Sequence, residues 1–183
     1  MGRLVMWNLV TLDGLFEGPN HALSFHLDVW GDELERLAIE QNKTAGALVF
    51  GRLTYELMAN HWPTAKGEVA DFMNSVPKVV FSRTLARADW SNTRLFAGDV
   101  PATVARLKRE TAKDVFVFGS ADLCESLMAH GLFDEFRLCL TPHVLGAGTP
   151  LFKPARERRK LTLLEARPLS NGTVILRYAP ANK

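Results

Sequence analysis

Short apolar runs recur along the chain, and most of them stop at a glycine or a small polar residue just before an amphipathic stretch begins. Leu4 to Val10 reads as a first strand, closed by the turn dipeptide Asp13-Gly14. Residues 15 to 31, with Gly18, Pro19 and Asn20, read as a loop. Leu34, Leu37 and Ala38 recur at helical spacing and predict a helix over Asp32 to Asn42. A buried strand, Ala47 to Phe50, leads into a helix over Leu53 to Asn60. After the Trp62-Pro63 break a further helix covers Glu68 to Ser75. Lys78 to Phe81 and Thr93 to Phe96 are the next strands, and Pro101 to Glu110, with proline in its first turn, is a helix. Val115 to Phe118 then makes a strand, Ala121 to Ala129 a helix, and Glu135 to Thr141 a strand that turns at Leu145 to Gly148. Two last strands, Leu161 to Ala166 and Thr173 to Tyr178, flank Ser170-Asn171-Gly172, a strong hairpin signal.

Strands alternating with helices imply right-handed crossovers and a mainly parallel sheet, to which the terminal hairpin adds at least one antiparallel strand. Ligands of such sheets bind at the carboxyl ends of the strands. The candidate positions are therefore Thr11 to Gly14, Gly51 to Thr54, Ser82 to Thr84 and Gly119 to Leu123.

Composition narrows the class. A length of 183 residues suits one domain, and 47% hydrophobic with 23% charged residues is an ordinary globular mix. A net charge of +2 gives no case for nucleic acid or an anionic membrane, and the basic run Arg156 to Lys160 reads as a solvated face. Cys124 and Cys139 sit in apolar patterns and read as buried free thiols. The apolar start is too short to span a bilayer and lacks the architecture of a leader peptide, so a reducing cytoplasm is expected. The five histidines have no metal-ligand spacing, so no metal site is expected.

Three strand ends carry anion chemistry. Gly119-Ser120-Ala121 allows close backbone approach, and Ser120 opens a helix whose free N–H groups favour a phosphate. Asp122, in the first turn of that helix, would repel an anion unless it points away. Gly51, Arg52 and Thr54 add a second helix start with a guanidinium and a hydroxyl, and Ser82, Arg83 and Thr84 repeat that pairing. Each cluster alone is compatible with an ordinary turn. Together at one sheet edge they suit an extended ligand with several phosphates, and NADPH fits that description. Neither a GxGxxG fingerprint nor a GxxxxGK[ST] loop occurs.

The ordered motifs TLDG, FGRLTYE, VPKVVFSRTL, VFGSADL and FRLCLTPHVLGAGTPLF resemble the dihydrofolate reductase-like superfamily. The closer likeness is to the branch grouped with the C-terminal reductase domain of the riboflavin-pathway deaminase-reductase, over nearly the whole chain. The resemblance implies a three-layer α/β fold, a mostly parallel central sheet of about eight strands and a C-terminal antiparallel hairpin. It implies NADPH along the carboxyl edge, with Gly51, Arg52 and Thr54 at the phosphates and Arg52 near the 2′-phosphate. Ser82, Arg83 and Thr84 fall on the adenine side. Gly119, Ser120, Ala121 and Leu123 would offer backbone groups to the pyrophosphate and nicotinamide. Dihydrofolate reductases have a cis Gly-Gly at the last turn. Gly119-Ser120 here argues for trans, because a non-proline cis bond costs about 3 kcal/mol.

The resemblance further implies a small heterocyclic substrate, a pyrimidine of the riboflavin-pathway type or a pterin, and a homodimer contact near Pro142 and Leu145. No deaminase zinc pattern is present. Asp13 and Glu35 are the candidate catalytic acids, with Asp32 a further acid in the same neighbourhood, while Asp13-Gly14 also serves as an ordinary turn. Phe25 and Trp30 are candidates to close over a flat ring. The expected activity is NADPH-dependent reduction. A non-catalytic NADP(H)-binding protein and an anion-binding structural dimer remain open as alternatives.

Overall fold

Six parallel strands and a terminal hairpin build one eight-stranded sheet in the computed structural model, which describes residues 1–154 and 158–181. The strands are β1 (Leu4–Thr11), β3 (Ala45–Gly51), β4 (Lys78–Phe81), β5 (Thr93–Phe96), β6 (Asp114–Val117), β7 (Glu135–Thr141), β9 (Leu161–Pro168) and β10 (Val174–Pro180). Their order is β5-β4-β3-β6-β1-β7-β10-β9, parallel from β5 to β7, with β10 and β9 antiparallel. The short strands β2 (Leu15–Glu17) and β8 (Thr149–Pro150) pair separately. The helices are α1 (Ser24–Val29), α2 (Asp32–Asn42), α3 (Arg52–His61), α4 (Glu68–Ser75), α5 (Val100–Glu110) and α6 (Ala121–Ala129).

The sheet is covered on both faces, which explains why β1, β3 and β6 read as nearly unbroken apolar runs. Alternation sends Leu4, Met6, Val49 and Val117 to one core with Val104 of α5 and Leu127 of α6. Val5, Trp7, Leu48 and Phe116 face the other way, against Leu34 of α2, Tyr55 of α3 and Met73 of α4. Three layers result, as expected from the sequence. Both cysteines are free and buried, and burial pushes each thiol up to about 12.

The segment 15–31 departs from the expected loop. It contains β2, a 3-10 turn at Pro19–His21 and α1. Leu15 and Phe16 have no strong periodicity of their own, and β2 forms because β8, far along the chain, supplies its ladder partners. Of the basic run at 156–160, Arg156 and Glu157 lie outside the described residues, and Arg158 to Lys160 are exposed. Among the described residues no helix is long and apolar enough to cross a membrane.

Buried charges mark the amino ends of several strands, Glu135 and Lys78 among them. Glu135 accepts from Arg3 Nη1 (2.9 Å), Arg137 Nε (2.6 Å) and Arg177 Nε (2.7 Å), so its carboxylate is compensated within the sheet. Lys78, buried at the start of β4, donates to Val76 O at 2.7 Å and lies 4.5 Å from the Trp90 ring centroid.

Candidate functional site

The strand order sets four loops side by side at the carboxyl edge: those after β4, β3, β6 and β1. After β3 the backbone stays extended at Gly51 and enters α3 without a side-chain cap. The first N–H groups of α3 are therefore free of a side-chain acceptor. Thr54, in the first turn, is buried, while Arg52 is exposed and donates from Nη1 to Glu56 Oε2 at 2.9 Å.

After β6 the chain turns through Gly119, at φ 51°, and Ser120 into α6, again without a side-chain cap. The Gly119 N–H donates to Asn8 Oδ1 at 2.7 Å. Asn8 is buried in the middle of β1 and makes its other contact, from Nδ2, with Cys124 Sγ at 3.9 Å. A Cβ on Gly119 would come within 2.5 Å of Thr54 Oγ1 and 2.7 Å of Phe16 Cζ. One on Gly51 would stand 2.6 Å from Ser120 Oγ. The two turns are thus in contact, and glycine is what lets them approach.

The Gly119–Ser120 peptide is cis, not trans as the residue types argue. The trans preference of these residue types is a local one, whereas Asn8, Thr54 and Phe16 surround Gly119 from distant parts of the chain.

After β4, Ser82 Oγ accepts from the N–H groups of Thr84 (3.1 Å) and Leu85 (2.9 Å), which fixes a tight turn. Arg83 and Thr84 project beside it, exposed, and Arg83 has no ion-pair partner among the described residues. Asp122 does not add negative charge to the edge unopposed. Its carboxylate pairs with Lys153, which also lies 3.7 Å from Glu125. The electrostatic objection raised by a carboxylate in the first turn of α6 is thereby met. Ala121 and Leu123 are buried beneath the turn, so they can present only backbone to a ligand.

The two candidate acids differ in setting. Asp13 accepts from Thr11 Oγ1 (2.6 Å), Gly146 N (2.8 Å) and Leu145 N (3.2 Å). Those donors, the Thr11 hydroxyl foremost, hold its carboxyl below the ordinary range. Glu35 stands half-buried in the first turn of α2, with no hydrogen-bond partner for its carboxylate among the described residues. That helix start is tied to the β9–β10 turn, where Glu33 accepts from Ser170 N at 2.7 Å. The β9–β10 turn lies at the carboxyl edge because β10 runs antiparallel to β7.

Of the aromatic candidates, Trp30 is half-exposed, but Phe25 is buried against His26 and His143 and is part of the support. Sequence reasoning missed Asn8 and Phe16. Asn8 left a signal, a lone amide inside the apolar run VMWNLV; Phe16 left none, since its place depends on β8.

A cleft of about 430 Å³ opens at the opposite, amino edge, among Pro77, Asn92, Arg94 and Leu107. The ligand geometry of parallel sheets favours the carboxyl edge, where the two glycine turns meet.

Comparison with known proteins places the chain in context. The RibD C-terminal domain family matches residues 3–175. The uncharacterized protein YyaP of Bacillus subtilis (strain 168) is 32% identical over 186 residues, covering 96% of this chain and 94% of that protein. A Shewanella sp. PV-4 structure, named provisionally as a riboflavin biosynthesis protein, superposes with a TM-score of 0.80 at 17% identity, covering 98% of this chain and 99% of its own. Dihydrofolate reductase from Enterococcus faecalis, complexed with NADP(H) and RAB-propyl, gives 0.66 at 11% identity, with 99% and 98% coverage.

Proposed function

The chain belongs to the RibD C-terminal domain family, and from that we propose an NADPH-dependent reductase acting on a small heterocyclic substrate, a pyrimidine or a pterin-like ring. The contact between the Gly51 and Gly119 turns carries this reading, because it brings two uncapped helix starts to one groove flanked by Arg52 and Arg83. The donor set fits a dinucleotide with an extra phosphate. Arg52 and Arg83, with the Ser82 and Thr84 hydroxyls, would hold the 2′-phosphate side. Gly51, Thr54 and the backbone of Gly119, Ser120, Ala121 and Leu123 would take the pyrophosphate and nicotinamide.

NADPH supplies a hydride when bound; the chain's own work is positioning. Asn8 fixes the Gly119 turn on which the ring would rest. Asp13 anchors the 145–146 turn beside it, and its engaged carboxylate favours a positioning role. We assign proton delivery to Glu35, at the α2 start. Glu35→Gln should lower kcat at least tenfold and leave NADPH affinity unchanged.

Titration with NADPH and NADH tests the cofactor assignment. NADPH should bind at least tenfold more tightly, and equal affinities would overturn it. The engagement of Asp13 also favours a second reading, a protein that binds NADP(H) without turnover. Binding with no loss of NADPH absorbance in the presence of pyrimidines and pterins would select it.

A further inference from the structure

The cleft of about 430 Å³ at the amino edge lies between the starts of β3, β4 and β5 and the last turn of α5. Its size falls within the roughly 300–1,000 Å³ of small-molecule sites. Ala47 of β3 and Val79 of β4 line it together with Leu107 of α5. Ala47 and Val79 belong to the core on that side of the sheet, and Leu107 packs against it. The floor is therefore apolar and continuous with the core.

Two opposite charges stand on the walls. Arg94 of β5 sits opposite Val79 in the ladder, so alternation sends its side chain to the α5 face, over the floor. It is exposed and has no hydrogen-bond or ion-pair partner among the described residues. Glu110 comes three residues after Leu107 and shares its side of α5. Its carboxylate has Arg106 Nε at 3.8 Å, a pair in which both side chains are more than half-exposed and the attraction is weak. Arg94 and Glu110 thus face one cleft without pairing to each other. Lys78 also lines the cleft, but its ammonium turns to the other face, toward Val76 O and the Trp90 ring. The side next to Glu110 is closely built. A Cβ on Gly46 would lie 2.7 Å from Lys113 Cβ and 2.9 Å from Thr111 Oγ1, so glycine lets the segment 111–113 close that wall.

We propose that this cleft binds a free α-amino acid with a large apolar side chain, its carboxylate on Arg94, its ammonium on Glu110 and its side chain on the floor of Ala47, Val79 and Leu107. The pairing of charges selects the class. A phosphate or a dicarboxylate would meet Glu110, a diamine would meet Arg94, and an uncharged apolar molecule would leave both without a partner. The end of a peptide carries one of the two charges at its terminal residue and lacks the other. A guanidinium can hold a carboxylate through two parallel hydrogen bonds, which fixes the orientation of the ligand as well as its charge. The site stands at the edge opposite the glycine turns, so it is independent of the reductase reading.

Equilibrium dialysis of the whole protein tests the assignment with L-phenylalanine and three relatives. N-acetyl-L-phenylalanine lacks the ammonium, L-phenylalaninamide lacks the carboxylate, and L-alanine lacks the large side chain. L-phenylalanine should bind with a Kd below about 1 mM, and each relative at least about tenfold more weakly. Arg94→Gln should weaken L-phenylalanine about tenfold and erase its advantage over the amide. Glu110→Gln should do the same for its advantage over the N-acetyl compound. Both residues are exposed, so both variants should keep the wild-type thermal midpoint. Absence of saturable L-phenylalanine binding, or variants with unaltered affinity, would overturn the proposal. So would equal binding of the amide or of the N-acetyl compound, the first pointing to a peptide's amino terminus and the second to its carboxyl terminus.

Discussion

Gly51 and Ser120 meet across the groove with no space for a side chain between them: a Cβ on Gly51 would lie 2.6 Å from Ser120 Oγ. Gly119, next in the chain to Ser120, is more tightly enclosed, with Thr54 Oγ1 and Phe16 Cζ at 2.5 and 2.7 Å from its notional Cβ and a φ of 51°. A serine hydroxyl can rotate away; a packed phenylalanine and an unfavourable φ cannot be avoided together. Gly119→Ala should therefore cost about 3 kcal/mol and Gly51→Ala about 1 kcal/mol, read from urea midpoints. A larger loss at Gly51 would contradict this ranking.

Arg52 is held by Glu56 one turn along α3, at 2.9 Å. Both side chains are well exposed, so the pair adds less than about 0.5 kcal/mol to stability. Its effect should appear in ligand affinity instead. Arg52→Ala should weaken NADPH by about 1.5–3 kcal/mol with little change for NADH. Glu56→Gln should tighten NADPH several-fold by freeing the guanidinium, and calorimetric titration of the three proteins reads both effects.

Glu135 sets the acid limit of the fold. Burial raises its pKa, but hydrogen bonds and charge from Arg137 and Arg177 outweigh this and hold it below the ordinary 4.5. A carboxyl depressed in the folded state contributes stability above the unfolded value and loses it as the pH falls through the folded one. Glu135→Gln should cost about 3 kcal/mol at neutral pH, because Arg137 is left buried beside a neutral amide. It should also flatten the decline of stability below about pH 4.5.

Lys78 acts with the opposite sign. Burial pushes its ammonium from 10.5 down to about 8. Between those values the unfolded chain keeps a proton that the folded protein has released, so stability rises with pH across the window. Below pH 8 both states are charged, and the penalty of burying the charge is constant. Lys78→Met should raise the thermal midpoint at pH 7 and abolish the rise between pH 8 and 10.5.

The parts of this molecule that depend on neighbours in sequence could be read from sequence. The central parallel strands β1, β3, β4 and β6 were visible because they are buried on both faces, and the hairpin because Asn171-Gly172 sits between apolar runs. The edge positions Gly51–Thr54, Ser82–Thr84 and Gly119–Leu123 followed from where those runs stop, and the sheet order brings them side by side. What was not visible depends on long-range partners. Phe16 reaches Gly119 only because β2 pairs with β8, and Phe25 is buried only because α1 lies against His143. The acceptor of the Gly119 N–H is an amide from the first strand, and the partner of Asp122 is Lys153, both beyond any local pattern.

The position of β1 has a consequence for synthesis. It is made before every other strand of its sheet, yet its sheet partners are β6 and β7, which end at Val117 and Thr141. While the next three strands of the main sheet assemble as β3-β4-β5, β1 has both edges unpaired and its apolar side chains uncovered. Closing a parallel sheet around an early strand is slow and exposes it to aggregation. The groove is completed in the same event, since Asn8 on β1 and Gly119 after β6 come together only when β6 inserts between β3 and β1. A nascent chain stalled before residue 114 thus holds β1 without its sheet partners and the Gly51 turn without the Gly119 turn that meets it.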